Sequence, residues 1–315
     1  AVGYRALLLN TTGAGNVAVG HSALDSNTTA DGNMAFGFQA LAANTTGTRN
    51  TAIGYQAYKS SDTENDNIAI GFQAMTTDTA GGTLNVAVGN YSLDALTSGD
   101  NNTATGHYAL GALTTASNNT AFGFSALRVN TGASNTAVGA NSLYANTGAE
   151  NSALGMYALY NNTTGGQNTA VGESALIANT TASNNVAVGK SALEANTTGT
   201  RHTAVGKSAL ATNTEAIRNT AIGYQALTAN TTGAQNTAVG DISMYTNTTG
   251  ADNTAIGGSA LGANTTGSNN VAVGRLSLDA NTTADNNTAV GYDSLGANTT
   301  GHSNTAVGKR ALFTN

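Results

Sequence analysis

A short motif, Asn-Thr-Ala-Val-Gly with substitutions, recurs along all 315 residues and constrains the fold more than any other feature. Its glycines run from Gly3 and Gly20 through Gly139 and Gly155 to Gly291 and Gly308. There are nineteen of them, separated by fifteen intervals of 17 residues, one of 18 and two of 16. A unit this short cannot hold a helical hairpin, whose repeats need more than about 30 residues. The consensus N-T-A-V-G-x-x-A-L-x-A-N-T-T-G-x-x puts β-branched residues before the glycine, where they favour a strand. It puts Asn, Thr and Gly between the apolar stretches, where they favour turns. Each copy therefore predicts one coil of an all-β, parallel β-solenoid (a β-roll) of about nineteen 17-residue coils. Residues 1–315 form a single repeat domain on this reading, with equivalent positions stacked about 4.8 Å apart.

The irregular copies support the assignment. The two short ones carry Asn130-Thr131-Gly132 and Asn146-Thr147-Gly148 in place of Asn-Thr-Thr-Gly, and the long one carries extra residues within 76–84. All three changes fall between the Leu and the next Asn of the motif. Loops tolerate such changes and strands do not, so this segment is the corner of the coil.

Composition narrows the function. Charged residues make up 9% of the chain, against about 25% in an ordinary globular protein, and the net charge is -6. Eleven scattered basic residues offer no patch for nucleic acid. No run of about 18 apolar residues exists, so membrane insertion within this segment is not expected. The absence of Cys excludes disulfide staples. The sequence opens mid-motif at Ala1-Val2-Gly3 and closes at Phe313-Thr314-Asn315, where Thr-Gly should follow. The expectation is a fragment of a longer fibre, continuing at both ends.

Two positions never vary: the Gly and the Ala two residues before it, from Ala1 and Ala18 to Ala306. The residue between them is large and apolar in nearly every copy, as in Val19, Phe36, Ile53 and Leu154, with Thr105 the exception. Leu dominates four residues after the Gly. On a strand, neighbours point to opposite faces. If the large residue and the Leu form a thin core, the invariant Ala faces a second, closely packed surface. A sister chain is one candidate for it. A flattened coil that turns both faces inward is the other.

The motif Asn-Thr-Ala-Val-Gly at 135–139, 168–172 and 236–240 resembles the head repeats of YadA-like trimeric autotransporters. The longer unit at 219–233 is similar to tandem repeats of bacterial surface proteins and phage tail-fibre-like proteins. The resemblance implies a left-handed β-roll, a parallel homotrimer and a role in adhesion at the cell surface. The period departs from that pattern, because such heads run nearer 14–16 residues per coil.

Chemistry is sparse. His21, His107, His202 and His302 never occupy adjacent coils, so they cannot share a metal, and each is expected to be a surface substitution. No Cys nucleophile and no recurrent paired carboxylate is present, so no catalytic residue, metal or cofactor is expected and the chain is not read as an enzyme. Asp62-Thr63-Glu64-Asn65-Asp66-Asn67 alternates acids as calcium loops do, but lacks their Gly and closing Glu. A solvated corner is expected there. The row Asn168, Asn185, His202, Asn219, Asn236, Asn253 is expected to form an amide ladder. The Asn-Thr-Thr corners are also glycosylation sequons, by virtue of the repeat alone.

The residue after each Gly varies, and in the first coils it reads Tyr4, His21, Phe38, Tyr55, Phe72. Tyr4, Phe38, Tyr55 and Phe72 are therefore the candidate ligand-binding residues, for a surface glycan or a protein receptor. The competing reading is a stacked ladder that only stabilises the rod. The expected function is the structural and adhesive shaft of an extracellular fibre, on a cell or a phage tail. An ice-binding solenoid is the rival, resting on the Thr of the corner rows. Ser61, Asp78, Leu96 and Leu113 interrupt those rows and weigh against it. Finally, the coils at 58–118 depart from consensus together, holding Tyr58, Met75, Thr105, Leu96 and Leu113 and six of the seventeen acids. A run of atypical coils in a solenoid predicts a local weak point that opens first.

Overall fold

A computed structural model describes residues 1–77 and 81–314. Asp78 lies outside the described residues. The chain divides into two compact units, Ala1–Asn151 and Ser152–Asn315. Every regular element described is a β-strand, and none is a helix.

The first unit carries a three-residue strand in each repeat from Val17–Val19 to Thr136–Val138. Each pairs in parallel with the next, Ala on Ala, as in Ala18↔Ala35 and Ala52↔Ala69. The extra residue of the long copy leaves the register intact, with Ala69↔Ala87, and so does the missing one, with Ala121↔Ala137. In the two short coils the corner straightens enough to pair, and Val129–Asn130 lies parallel to Ala145–Asn146. The second unit repeats the arrangement from Ser152–Leu154 to Thr305–Val307, in steps of 17 residues throughout. The parallel β-solenoid expected from the period is the observed fold.

The facing of the strands corrects the sequence reading. The invariant Ala lies inside its own coil and is at most 2% exposed from Ala18 to Ala289. The large residue beside it points outward: Phe36 is 55% exposed and Phe122 58%. Alternation along a strand says that the two residues face opposite ways, not which one faces in. A 17-residue coil is narrow, and its interior takes two small residues, one Leu and two Asn. In a typical coil these are Ala187, Ala192, Leu193, Asn196 and, preceding the strand, Asn185. The invariant Ala is therefore a core residue of its own coil and not a contact with a sister chain.

The glycine that ends each strand is also explained. Gly189 has φ +133°, and a Cβ there would sit 2.5 Å from the carbonyl oxygen of Gly206 in the next coil. After each such glycine the chain takes left-handed conformations at non-glycine residues, as at Ser191 (φ 56°) and Leu193 (φ 52°). These cost roughly 1–2 kcal/mol each. They are held by bonds to both neighbouring coils: Ser191 N–H donates to Glu173 O at 3.0 Å and Leu193 N–H to Ala209 O at 3.0 Å.

Candidate functional site

Two ladders of buried side-chain amides run inside the coils, and a row of aromatic rings runs outside. In the first ladder, Asn236 N–H donates to Oδ1 of Asn219 at 2.8 Å, and Asn253 N–H to Oδ1 of Asn236 at 3.0 Å. Its Nδ2 atoms reach a carbonyl 14 residues on, as from Asn219 to Gly233 O at 2.8 Å. The expected ladder exists, but it mainly ties amide to backbone. The second ladder, formed by the corner Asn, joins amide to amide: Asn247 Nδ2 donates to Asn230 Oδ1 at 2.9 Å, and Asn264 Nδ2 to Asn247 Oδ1 at 2.8 Å. The sequon Asn residues are therefore interior groups, not surface acceptors for sugar.

His202 occupies a rung of the first ladder and is buried, which corrects its reading as a surface substitution. It copies the asparagine it replaces. Its Nδ1 accepts from Asn219 N–H at 3.2 Å, and its Nε2 lies 2.6 Å from Ala216 O. A carbonyl can only accept, so Nε2 carries the proton and the ring is neutral. Burial pushes its pKa down to about 4.

The second ladder breaks in the irregular zone. Asn44 Nδ2 donates to Asn27 Oδ1 at 3.0 Å, but the next rung is Ser61, whose hydroxyl donates instead to Glu64 Oε2 at 3.1 Å. Asn44 Oδ1 is left buried without a partner. Glu64 is buried rather than solvated, and its carboxylate accepts from the backbone N–H groups of Asp62 at 2.7 Å, Thr63 at 3.0 Å and Gly81 at 3.1 Å. Leu96 and Leu113 fill the same interior position in successive coils and are fully buried. Tyr58 replaces a core Leu, and its hydroxyl accepts from Asn67 Nδ2 at 2.5 Å. Restoring the consensus with Ser61→Asn and Glu64→Gly should satisfy Asn44 and stabilise the zone by about 1–3 kcal/mol. Slower amide exchange at 58–77 and a higher urea midpoint would register it, whereas unchanged exchange would show that the orphan oxygen costs little.

The sequence-predicted stripe is assembled as a stack. Tyr4, His21, Phe38, Tyr55 and Phe72 follow one another with ring centroids 5.1–5.3 Å apart, and Phe38, Tyr55 and Phe72 lie within 10° of parallel. Beyond Phe72 the rings tilt, and the row passes through Tyr91, Tyr108 and His107 to Phe124. Each ring covers its neighbour's faces, so edges and Tyr hydroxyls are what the stripe presents outward. Beside it, Gln56 Nε2 donates to Gln39 Oε1 and Gln73 Nε2 to Gln56 Oε1, both at 2.9 Å. In the second unit the same row becomes charged, with Lys190 Nζ 2.9 Å from Glu173 Oε2. Among the described residues no enclosed pocket forms, and no three His, Asp or Glu side chains converge as a metal centre requires. No helix is long and apolar enough to cross a membrane.

No protein-family model and no curated protein matches the chain significantly.

Proposed function

We propose that the chain is the structural and adhesive shaft of an extracellular fibre, built from parallel copies as a homotrimer. The observation that carries this is the outward strand face of the first unit. It bears Met34, Phe36, Phe122 and Ile68 in the open, with Tyr4, Phe38, Tyr55 and Phe72 alongside. Among the described residues no basic or acidic side chain falls on a strand. An exposed apolar strip of this kind marks an interaction surface. A parallel copy presents the same residues at the same pitch, so each coil of the first unit meets its equivalent. The resemblance of Asn-Thr-Ala-Val-Gly to trimeric autotransporter heads favours three chains and a cell surface; a phage tail-fibre shaft is the same physical object in another setting. Within the assembly the edges of the aromatic stack are the adhesive contact for a glycan or protein receptor. The parallel strand pairing from coil to coil favours a mechanical role.

Sedimentation equilibrium tests the assembly. The expected mass is three times the 31.2 kDa of one chain. Phe36→Asp with Phe122→Asp should reduce it to that of one chain while the far-ultraviolet circular dichroism is kept. A wild-type mass of 31.2 kDa would overturn the proposal.

A further inference from the structure

We propose that the outward strand face of the second unit binds ice. This does not rest on the fibre proposal, because it uses a different unit and a different surface chemistry. The face consists of two rows. One is Thr in seven of the ten strands, including Thr220, Thr237 and Thr254, with Ser152, Val186 and Val271 in the others; the other is Val or Ile in every strand after Leu154, including Ile222, Val239 and Ile256. The inward Ala between the rows holds both outward, and Ile222 is 39% exposed and Ile256 42%.

The array is regular in both directions. Thr220 pairs with Thr237 and Thr237 with Thr254, each one strand spacing of about 4.8 Å along the stack. Across a strand, the Thr and the Val or Ile are two residues apart, about 6.7 Å. From Gly155 to Gly308 every interval is 17 residues, so nothing interrupts the translation. The amide ladders beneath fix each coil on the next. Ten strands of about 10 Å at this spacing make a patch of roughly 480 Å².

The chemistry is that of a neutral, ordered water lattice. The oxygen repeat of hexagonal ice lies within a few tenths of an ångström of one strand spacing. Methyl groups of Val, Ile and Thr order water around them, and a row of hydroxyls anchors it. The first Thr of each corner cannot do this so well. The hydroxyls of Thr231, Thr248 and Thr265 donate to backbone carbonyls of the following coil, at 3.1, 3.0 and 2.9 Å. No such bond ties the hydroxyls of Thr220, Thr237 and Thr254 among the described residues. The face also carries no charge, whereas the row beyond the glycine carries Glu173, Lys190, Lys207 and Asp241. A second copy is a poorer occupant. Side chains of nearly one size, repeated at one pitch, offer nothing to fix register between two chains, unlike Phe36 and Phe122 in the first unit.

The test compares the full chain with two triple variants, Thr220→Lys/Thr237→Lys/Thr254→Lys on the strand face and Thr232→Lys/Thr249→Lys/Thr266→Lys on exposed corners. Each is frozen slowly against a seeded ice surface with an inert globular protein, and the protein in the ice is measured. Circular dichroism and sedimentation are recorded on the same samples. We expect wild type and the corner variant to be enriched in the ice at least tenfold over the inert protein, and the strand variant to lose that enrichment with fold and mass unchanged. Exclusion of wild type from ice would overturn the inference. So would a strand variant of lower mass than wild type, since the face would then be a contact between copies. A wild-type mass of one chain bears on the fibre proposal alone.

Discussion

Glutamate in place of Ala204 is expected to unfold its coil, not merely to separate chains. Ala204 is fully buried, and its strand registers Ala187 on one side and Ala221 on the other. The space it occupies is bounded by small residues, one Leu per coil and amides already bonded to one another. A carboxylate there has no cation to pair with, and an unpaired buried charge costs several kcal/mol even after relaxation. The added volume is a second penalty, because packed interiors do not absorb extra methylene groups. The loss should propagate to the two adjoining coils, whose backbone bonds run through Thr203–Val205. Thr198→Glu is the control, since Thr198 is exposed on a corner. Far-ultraviolet circular dichroism and a urea midpoint decide the matter. Native spectra for Ala204→Glu together with a lowered mass would return the invariant Ala to a contact between chains.

The period made the solenoid legible, because a repeat of fixed length with length changes confined to one segment leaves few other ways to stack strands. It did not reveal the facing. Ala18 and Val19 alternate whichever of them points inward, and the usual expectation that the larger residue is buried fails in a coil too narrow for it. The conformation after each glycine was equally hidden: Ser22 (φ 54°) and Leu24 (φ 50°) are residue types that rarely adopt left-handed backbone. The bonds to adjacent coils that hold them there span 16–18 residues and leave no local signature. The aromatic stripe was visible from spacing, since Tyr4, His21, Phe38 and Tyr55 recur every 17 residues. That its rings would cover one another's faces follows from the pitch, which is close to ring-stacking distance. The outward Thr rows stand out less in the sequence than the Asn-Thr-Thr corners, where the Asn is interior and the first Thr is bonded to the next coil.

Acidification should weaken the second unit through His202 alone among its ladder rungs. The ring is neutral in the fold, with a pKa lowered to about 4 by burial, against 6.5 in an exposed chain. Above pH 6.5 neither state takes up a proton and this group adds no pH dependence. Between 6.5 and about 4 the unfolded chain binds a proton that the folded coil refuses, so stability falls as pH falls. The slope approaches 1.4 kcal/mol per pH unit, and the total across the window is about 3 kcal/mol. Below pH 4 the folded ring is protonated as well. An imidazolium would keep the bond to Ala216 O but lose the acceptor that Asn219 N–H requires. The neighbouring rungs, Asn185 and Asn219, have no proton to gain, so His202→Asn should restore a pH-independent rung of the same geometry. Melting curves of wild type and His202→Asn at pH 7.5 should nearly coincide, while at pH 4.5 the variant should be the more stable. Amide exchange at 185–219 should show where the difference arises. Parallel stability curves for the two proteins between pH 7.5 and 4.5 would mean that the ring is protonated within the fold at little cost, and that the coil opens around it more readily than the ladder geometry implies.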